Sequence, residues 1–476
     1  MKISLHIPPQ MWQKIRYSML YLKPEDEEVI SFIFCEKQFT DNIVRYIPKY
    51  WVVPDQDCYE YQSSIGLVMK QHFHHYLLEE YLQNQQLNVV HIHTHFGDQL
   101  PDFSYVDDRH ESDYARFLGE NFAHQPDLIS GVFDENLEKY QFRLWNNQGT
   151  DFEPIEFCNS WLSIDENNIS ESPEISPMFA RQKVFGKGFQ TQLNQLKIAL
   201  IGCGGIGAVF AETLARLGVK NWLLIDDDNL ELVNLNRTPG ASEEMVNQQW
   251  SKVDYVKYLL TKIYPDDGNF ITAKTTIQAI ENIEQIIDYD LIVVATDNHH
   301  SRQIAQELAL KYQRPFMSLG THIDIDSDGI PKMYARITIP PLGGGWCLMC
   351  GNMINLQQSA LETAANSITQ LANSAGYLDD VEAPAVFWLN NICASTTVGI
   401  LHGVIAGFVN VDEGLDWVYH FPSQQWLKTI PEHLHNENCL FCTVTPLSEN
   451  DFWEQHSDDF CSTAQESYYD TNYFDE

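Results

Sequence analysis

The sequence predicts an α/β protein made of two consecutive units. Short β-branched and aromatic runs alternate with stretches of helical spacing along most of the chain, and a polar segment beginning near residue 161 separates two such series. The second series opens with a glycine-rich turn set between a strand and a helix, the mark of a doubly wound, largely parallel sheet. At roughly 150 residues per domain, the 476 residues allow about three units, with two to four equally compatible.

In the first unit, residues 28–35 (EVISFIFC) and 42–53 read as strands, and residues 64–84 carry helical spacing in Ile65, Val68, Phe73, Leu77 and Leu78. A strand at 87–94 (LNVVHIHT), a helix over 106–122 and strands at 128–133 and 140–145 complete an α/β domain spanning 1–160. Residues 161–178 (WLSIDENNISESPEISPM), rich in Ser, Asn, Glu and Pro, read as a linker. The second domain, 179–447, has strands at 196–201, 222–225, 270–272, 291–295 and 316–319. The acidic, aromatic segment 448–476 reads either as a solvated tail or as a docking segment.

Charge narrows the partners. With 66 acidic against 29 basic residues the formal net charge is −37, which opposes extended contact with phosphate backbones or anionic lipid, so neither nucleic acid nor a membrane is an expected partner. The amino-terminal MKISLHIPPQ lacks an apolar signal-like run, and cytoplasmic localisation is the expectation.

The run KIALIGCGGIGAVFAETLARLGV puts Gly202, Gly204, Gly205 and Gly207 after a strand and at a helix start, where missing Cβ atoms let backbone approach a phosphate. Asp226, with Asp228 in the same LLIDDDN run, stands where a ribose hydroxyl would be bound. Asn234, Arg237 and Lys252 add donors and positive charge near the phosphates, and Asp297 follows the strand LIVVATDN. Two cations and a carboxylate suit a triphosphate being cleaved with Mg²⁺ better than a redox dinucleotide. Cys347 and Cys350 (CLMC), with Cys439 and Cys442 (CLFC), form two CxxC pairs suited to one structural Zn²⁺.

This motif set, GCGGIG, LLIDDDNLELVNLNR, SKVDYV, ATDN and the paired CxxC, resembles the ThiF and ubiquitin-activating superfamily over residues 179–443. The resemblance implies a Rossmann-like adenylating domain in which Asp226 binds the ATP ribose, Asn234, Arg237 and Lys252 contact the phosphates, and Asp297 organises Mg²⁺. It also implies a homodimer in which Arg181 reaches the partner subunit's ATP. The implied reaction is attack by the C-terminal glycine carboxylate of a ubiquitin-like or sulfur-carrier protein on ATP. A downstream conjugating enzyme is a further implied partner. Cys393, in NICAS, is either a sulfur-transfer nucleophile as in some relatives or a core residue of an apolar helix.

In the first unit, VVHIHTHFGDQLPDFSYVDD holds His91, His93, His95, Ser104 and Asp107 at a strand end and the loop beyond. Imidazoles at alternate strand positions face one way, and a carboxylate from the next helix completes three ligands with a fourth position open, the layout of a catalytic zinc site. The region resembles the JAMM zinc metalloproteases, the deubiquitinase family. That resemblance implies Glu28 as general acid/base, His93, His95 and Asp107 as metal ligands, and Ser104 as donor to the oxyanion. Phe96 stands where the family has Pro, and eight residues rather than seven separate His95 from Ser104, so either the loop bulges by one residue or His91 and His93 form the pair. His72, His74 and His75 read as a solvated helix face.

The combined expectation is a chain that trims or releases a glycine-ended ubiquitin-like protein with a catalytic zinc and adenylates the exposed carboxylate with ATP and Mg²⁺. The alternatives are a scaffold that binds such tails with one centre degenerate, or adenylation of a small molecule or peptide.

Overall fold

The computed structural model describes residues 2–24, 27–39, 43–64, 66–97, 100–163, 176–277, 286–325, 331–362, 384–421, 423–436 and 438–442. The segment 448–476 lies outside the described residues, as does 164–175 of the expected linker. The chain divides into two compact units, one built on residues 11–158 with the first strand, the other on residues 159–444.

The first unit is one eight-stranded mixed sheet. Its strands are β1 (Lys2–His6), β2 (Ile30–Phe39), β3 (Ile43–Val52), β6 (Asn88–Thr94), β7 (Leu128–Phe133), β8 (Tyr140–Trp145), β9 (Phe152–Pro154) and β10 (Glu156–Cys158), in the order β10-β1-β3-β2-β6-β7-β8-β9. β4 (Tyr59–Ser63) and β5 (Gly66–Met69) form a separate hairpin. The central strand β2 is buried on both faces, and its side chains sort by the period of two. Ile33 and Cys35 join a core with Met11, Trp12, Ile15 and Met19 of the Pro9–Leu22 helix, while Ile30, Phe32 and Phe34 join a core with Phe73, Leu77, Ala115 and Leu118. The same alternation on β6 sends Val90 and Ile92 to the first face, which leaves His91 and His93 on the face covered by the Tyr105–Asn121 helix.

Two expectations need correction here. The helix expected over 64–84 begins only at Gln71, because Leu67 and Val68 pair with β4 and the Lys70 amide donates to the Cys58 carbonyl. Trp161, placed in the linker, is 2% exposed within the core of the second unit.

In the second unit, β11 (Lys197–Ile201), β12 (Asn221–Ile225), β13 (Asn269–Ala273), β14 (Leu291–Val294), β15 (Phe316–Ile325), β16 (Pro331–Ile339), β17 (Leu415–Phe421) and β18 (Gln425–Thr429) lie in the order β13-β12-β11-β14-β15-β16-β17-β18. The first five are parallel, the last three antiparallel. β11 again serves two cores, Ile198 and Leu200 with the Gly205–Leu217 and Phe387–Ile405 helices, Ala199 and Ile201 with the His299–Lys311 helix. Because β12 and β14 flank β11, the order of strand succession reverses there, and such a switch point places a crevice at the carboxyl ends of β11 and β14.

The antiparallel extension is pinned by a buried carboxylate. Asp416 accepts from Arg336 Nε and Nη2, both at 2.8 Å, from Thr338 Oγ1 at 3.0 Å and from Thr429 Oγ1 at 2.7 Å. Its own burial would raise the carboxyl pKa, but the Arg336 hydrogen bonds and charge hold it below the usual range. Asp416→Ala strands these donors and is expected to cost about 3 kcal/mol in denaturant unfolding. A loss under about 0.5 kcal/mol would show the pin to be dispensable.

Candidate functional sites

In the first unit, β6 and the Tyr105–Asn121 helix bring His93, His95 and Asp107 together. His93 Nε2 lies 3.2 Å from His95 Nε2 and 3.5 Å from Asp107 Oδ1, and His95 Nε2 lies 3.4 Å from Asp107 Oδ2. Ligand bonds of about 2.0–2.1 Å in a tetrahedron give edges of about 3.3–3.4 Å, so the three donor atoms fit one zinc-sized ion with a corner left over. His91 is directed elsewhere, its Nε2 2.7 Å from Ser130 Oγ and 3.4 Å from Glu111 Oε1. His93 and His95, rather than His91 and His93, are the imidazoles that share Asp107.

Asp107 is held by a capping box. Its backbone N–H donates to Ser104 Oγ (3.2 Å), and Asp107 Oδ2 accepts from the Ser104 amide (2.6 Å). Ser104 is exposed, and its side chain also helps hold the Asp107 carboxylate in its charged form. Glu28 is 7% exposed and lies two residues before the start of β2, whose Ile30 pairs with His93, so continuing the register sets Glu28 opposite His95. Burial pushes its carboxyl up to about 7, with His95 opposing and Asp107 adding to the rise. Burial lowers the His93 pKa, and the Asp107 hydrogen bond raises that of His95. His74 is not a solvated residue: its Nε2 is 3.1 Å from Tyr114 Oη, and burial lowers its pKa to about 4.

In the second unit the glycine turn lines the crevice. Gly202 has φ +95°, and a Cβ on Gly207 would lie 1.9 Å from the Gly202 carbonyl oxygen, so the helix packs onto the turn as only glycine permits. A Cβ on Gly204, by contrast, would meet nothing within 4 Å, and the Gly205–Leu217 helix has no side-chain cap. That leaves free amides and room for a phosphate at its positive end. Asp226 directly follows β12, with Oδ2 accepting from the Cys203 amide (2.7 Å) and Oδ1 from the Asp228 amide (3.0 Å). Lys252 Nζ lies 2.6 Å from Asp228 Oδ2 and also feels the charges of Asp226 and Asp297. Arg237 abuts Gly205 and donates to the Val233 carbonyl at 2.8 Å. Asn234 Oδ1 is taken by the Glu231 amide (3.0 Å), so its NH₂ is the part left to meet a phosphate. Asp297 is exposed beyond β14, and Arg181 is exposed in the Pro177–Phe185 turn.

The four CxxC thiols gather into one cluster, with Sγ separations of 3.8 Å (Cys347–Cys350), 3.8 Å (Cys347–Cys439) and 3.6 Å (Cys350–Cys442). A tetrahedron with bonds of about 2.3 Å has edges of about 3.8 Å, so the cluster suits zinc with all four corners filled. Of the two readings of Cys393, the geometry favours the core residue. The residue is fully buried, directs Sγ to the Gly320 and Arg336 carbonyls at 3.6 and 3.5 Å, and burial pushes its thiol up to about 12.

The family model described as the ThiF family matches residues 179–424, a little over half of the chain. The chain belongs to the ThiF family. Among individual proteins, the ThiF-family unit is similar to the sulfur carrier protein ThiS adenylyltransferase of Bacillus subtilis, 29% identical over 183 residues, covering 36% of this chain and 54% of that protein. It is also similar to the tRNA threonylcarbamoyladenosine dehydratase of the same organism, 32% identical over 143 residues, 29% of this chain and 55% of that one. The chain thus spans about half the length of these relatives. A crystal structure of E. coli MccB aligns with TM-score 0.45 and 16% identity, over 57% of this chain and 75% of that chain.

The Arg143–Asp108–Glu111 network beside the His93–His95–Asp107 group escaped the sequence reading. Arg143 is 35 and 32 residues from its two partners, and no short motif joins them.

Proposed function

We propose that the ThiF-family unit adenylates the C-terminal glycine carboxylate of a ubiquitin-like or sulfur-carrier protein, and that the first unit is a JAMM-type zinc peptidase that trims or releases the same protein. The observation that carries the first half is the crevice itself, an uncapped helix end beside a lysine framed by Asp226, Asp228 and Asp297. A substrate carboxylate oxygen attacks the α-phosphorus of ATP, the bond to the bridging oxygen breaks, and pyrophosphate leaves with the electron pair. Lys252 and Arg237 offset its charge, Asp297 holds the substrate Mg²⁺, and Asp226 accepts from the ribose. Arg181, from the partner of a homodimer, completes the phosphate contacts.

For the peptidase half, the fit of His93, His95 and Asp107 to one ion supports the reading. His93, His95 and Asp107 would hold a zinc ion that would supply Lewis acidity and acidify a water to a pKa of about 7. Glu28 takes a proton from the attacking water and hands it to the leaving amine, and the Ser104 hydroxyl donates to the carbonyl oxygen of the scissile bond. Both units would read one flexible glycine-ended tail.

The test is ATP–pyrophosphate exchange by the full chain with glycine-ended ubiquitin-like proteins, and with the same proteins lacking the terminal glycine. Exchange that needs the glycine supports the proposal. Exchange indifferent to it moves the substrate to a small molecule or peptide.

The cysteine cluster is read as a structural zinc site, so Cys347→Ser is expected to remove one zinc per chain and lower the melting temperature by on the order of 10 °C. Metal analysis with differential scanning calorimetry checks this; unchanged zinc content would mean that the thiols hold no metal.

A further inference from the structure

Arg143 on β8 has 3% of its side chain exposed and reaches two carboxylates on the helix that carries Asp107. Nη1 donates to Asp108 Oδ1 at 2.6 Å and Nε donates to Glu111 Oε2 at 2.8 Å. Asp108 is the residue after Asp107, and Glu111 lies one helical turn beyond it. Glu111 Oε2 also accepts from Trp145 Nε1 at 2.8 Å, and its Oε1 is 3.4 Å from Nε2 of His91, two residues before His93 on β6. The guanidinium carbon sits 3.6 Å from the centroid of the Phe103 ring, which neighbours Ser104 and packs edge-on to the His93 ring at 6.3 Å.

One cation therefore ties together β8, the first turn of the helix, β6 and the loop that enters the helix; His93 projects from β6, His95 from the residue just after it and Asp107 from the helix. It touches none of the three ligand side chains by any of these contacts. We infer that Arg143 is a positioning residue for the His93–His95–Asp107 centre, fixing the Asp107 carboxylate against the two imidazoles through Asp108, Glu111 and Phe103. The inference rests on reading that centre as a metal site. Lysine could not replace it, because a planar fork is needed to meet two carboxylates while lying flat on a ring. Partners one step removed from a metal ordinarily change its affinity by about 10–100-fold.

The experiment loads the full chain with Co²⁺ or Zn²⁺ against a competing chelator and follows the metal that disappears in His93→Ala. Arg143→Lys keeps a positive charge beside buried Glu111. It is expected to weaken that metal about 10–100-fold and to alter the visible cobalt bands, while metal at the cysteine cluster in the other unit is unchanged. Asp108→Asn, at a carboxylate that is half exposed in the native protein, is the gentler second variant and is expected to weaken the same metal several-fold. A merely structural Arg143 would lower the melting temperature and leave affinity and spectrum alone. Wild-type affinity and bands in both variants would overturn the positioning role while leaving the metal centre standing. Absence of any His93-dependent metal in the wild type would overturn the metal reading and this inference together.

Discussion

Replacing Lys252 with alanine is expected to lower ATP–pyrophosphate exchange by two to three orders of magnitude, the usual cost of deleting one donor aimed at charge that develops in a transition state. Three carboxylates surround this ammonium. Without it, Asp226, Asp228 and Asp297 face the triphosphate with one cation fewer, so both binding and turnover should suffer. The fold should survive, because Lys252 is the first residue of its helix and the Ser251 cap, which accepts from the Asp254 amide, is untouched. Lys252→Arg should recover part of the loss. An exchange rate in Lys252→Ala within threefold of wild type, with the melting temperature preserved, would place the nucleotide elsewhere in the unit.

Glu28→Gln is the counterpart in the first unit. Glutamine keeps the size and the hydrogen-bonding outline of a side chain that is 7% exposed, but it can neither take nor give a proton. Cleavage of a tail-extended ubiquitin-like precursor should fall by about 10²–10⁴ while the His93-dependent metal is retained. Metal content measured beside cleavage decides the matter: loss of the metal in Glu28→Gln would assign the carboxylate to binding rather than to proton transfer. Exchange by the ThiF-family unit should be unchanged in this variant.

How far the chain can be read without its structure depends on how local each signal is. The glycine turn and the parallel strands are legible because a strand, a tight turn and a helix leave their marks within some twenty residues, and paired CxxC spacing names its own chemistry. The antiparallel strands β16, β17 and β18 were not anticipated, since their pairing depends on partners up to 88 residues away, as between Met333 and Phe421. Residues 64–70 misled because a short apolar run fits a helix and a hairpin alike, and only the partner strand β4 decides. The Pro9–Leu22 helix was missed although Met11, Trp12, Ile15 and Met19 trace an apolar stripe at helical spacing, a signal that was available. Three histidines in a row left the ligand pair open between two choices. What separates His91 from His95 is the position of Glu111 and Asp107 on a helix, which no count along the strand reveals.

The capping box at Ser104 gives one carboxylate two duties. Asp107 closes the first turn of its helix and also faces the two imidazoles, so its rotamer is set before any ion arrives. Little side-chain entropy then remains to be lost on binding, and the ion should enter a centre whose backbone protection from hydrogen exchange is already near its final level. The same economy has an opposite face. A substitution at Ser104 would loosen the helix end and the ligand at once, so stability and metal affinity should fall together in that variant rather than separately.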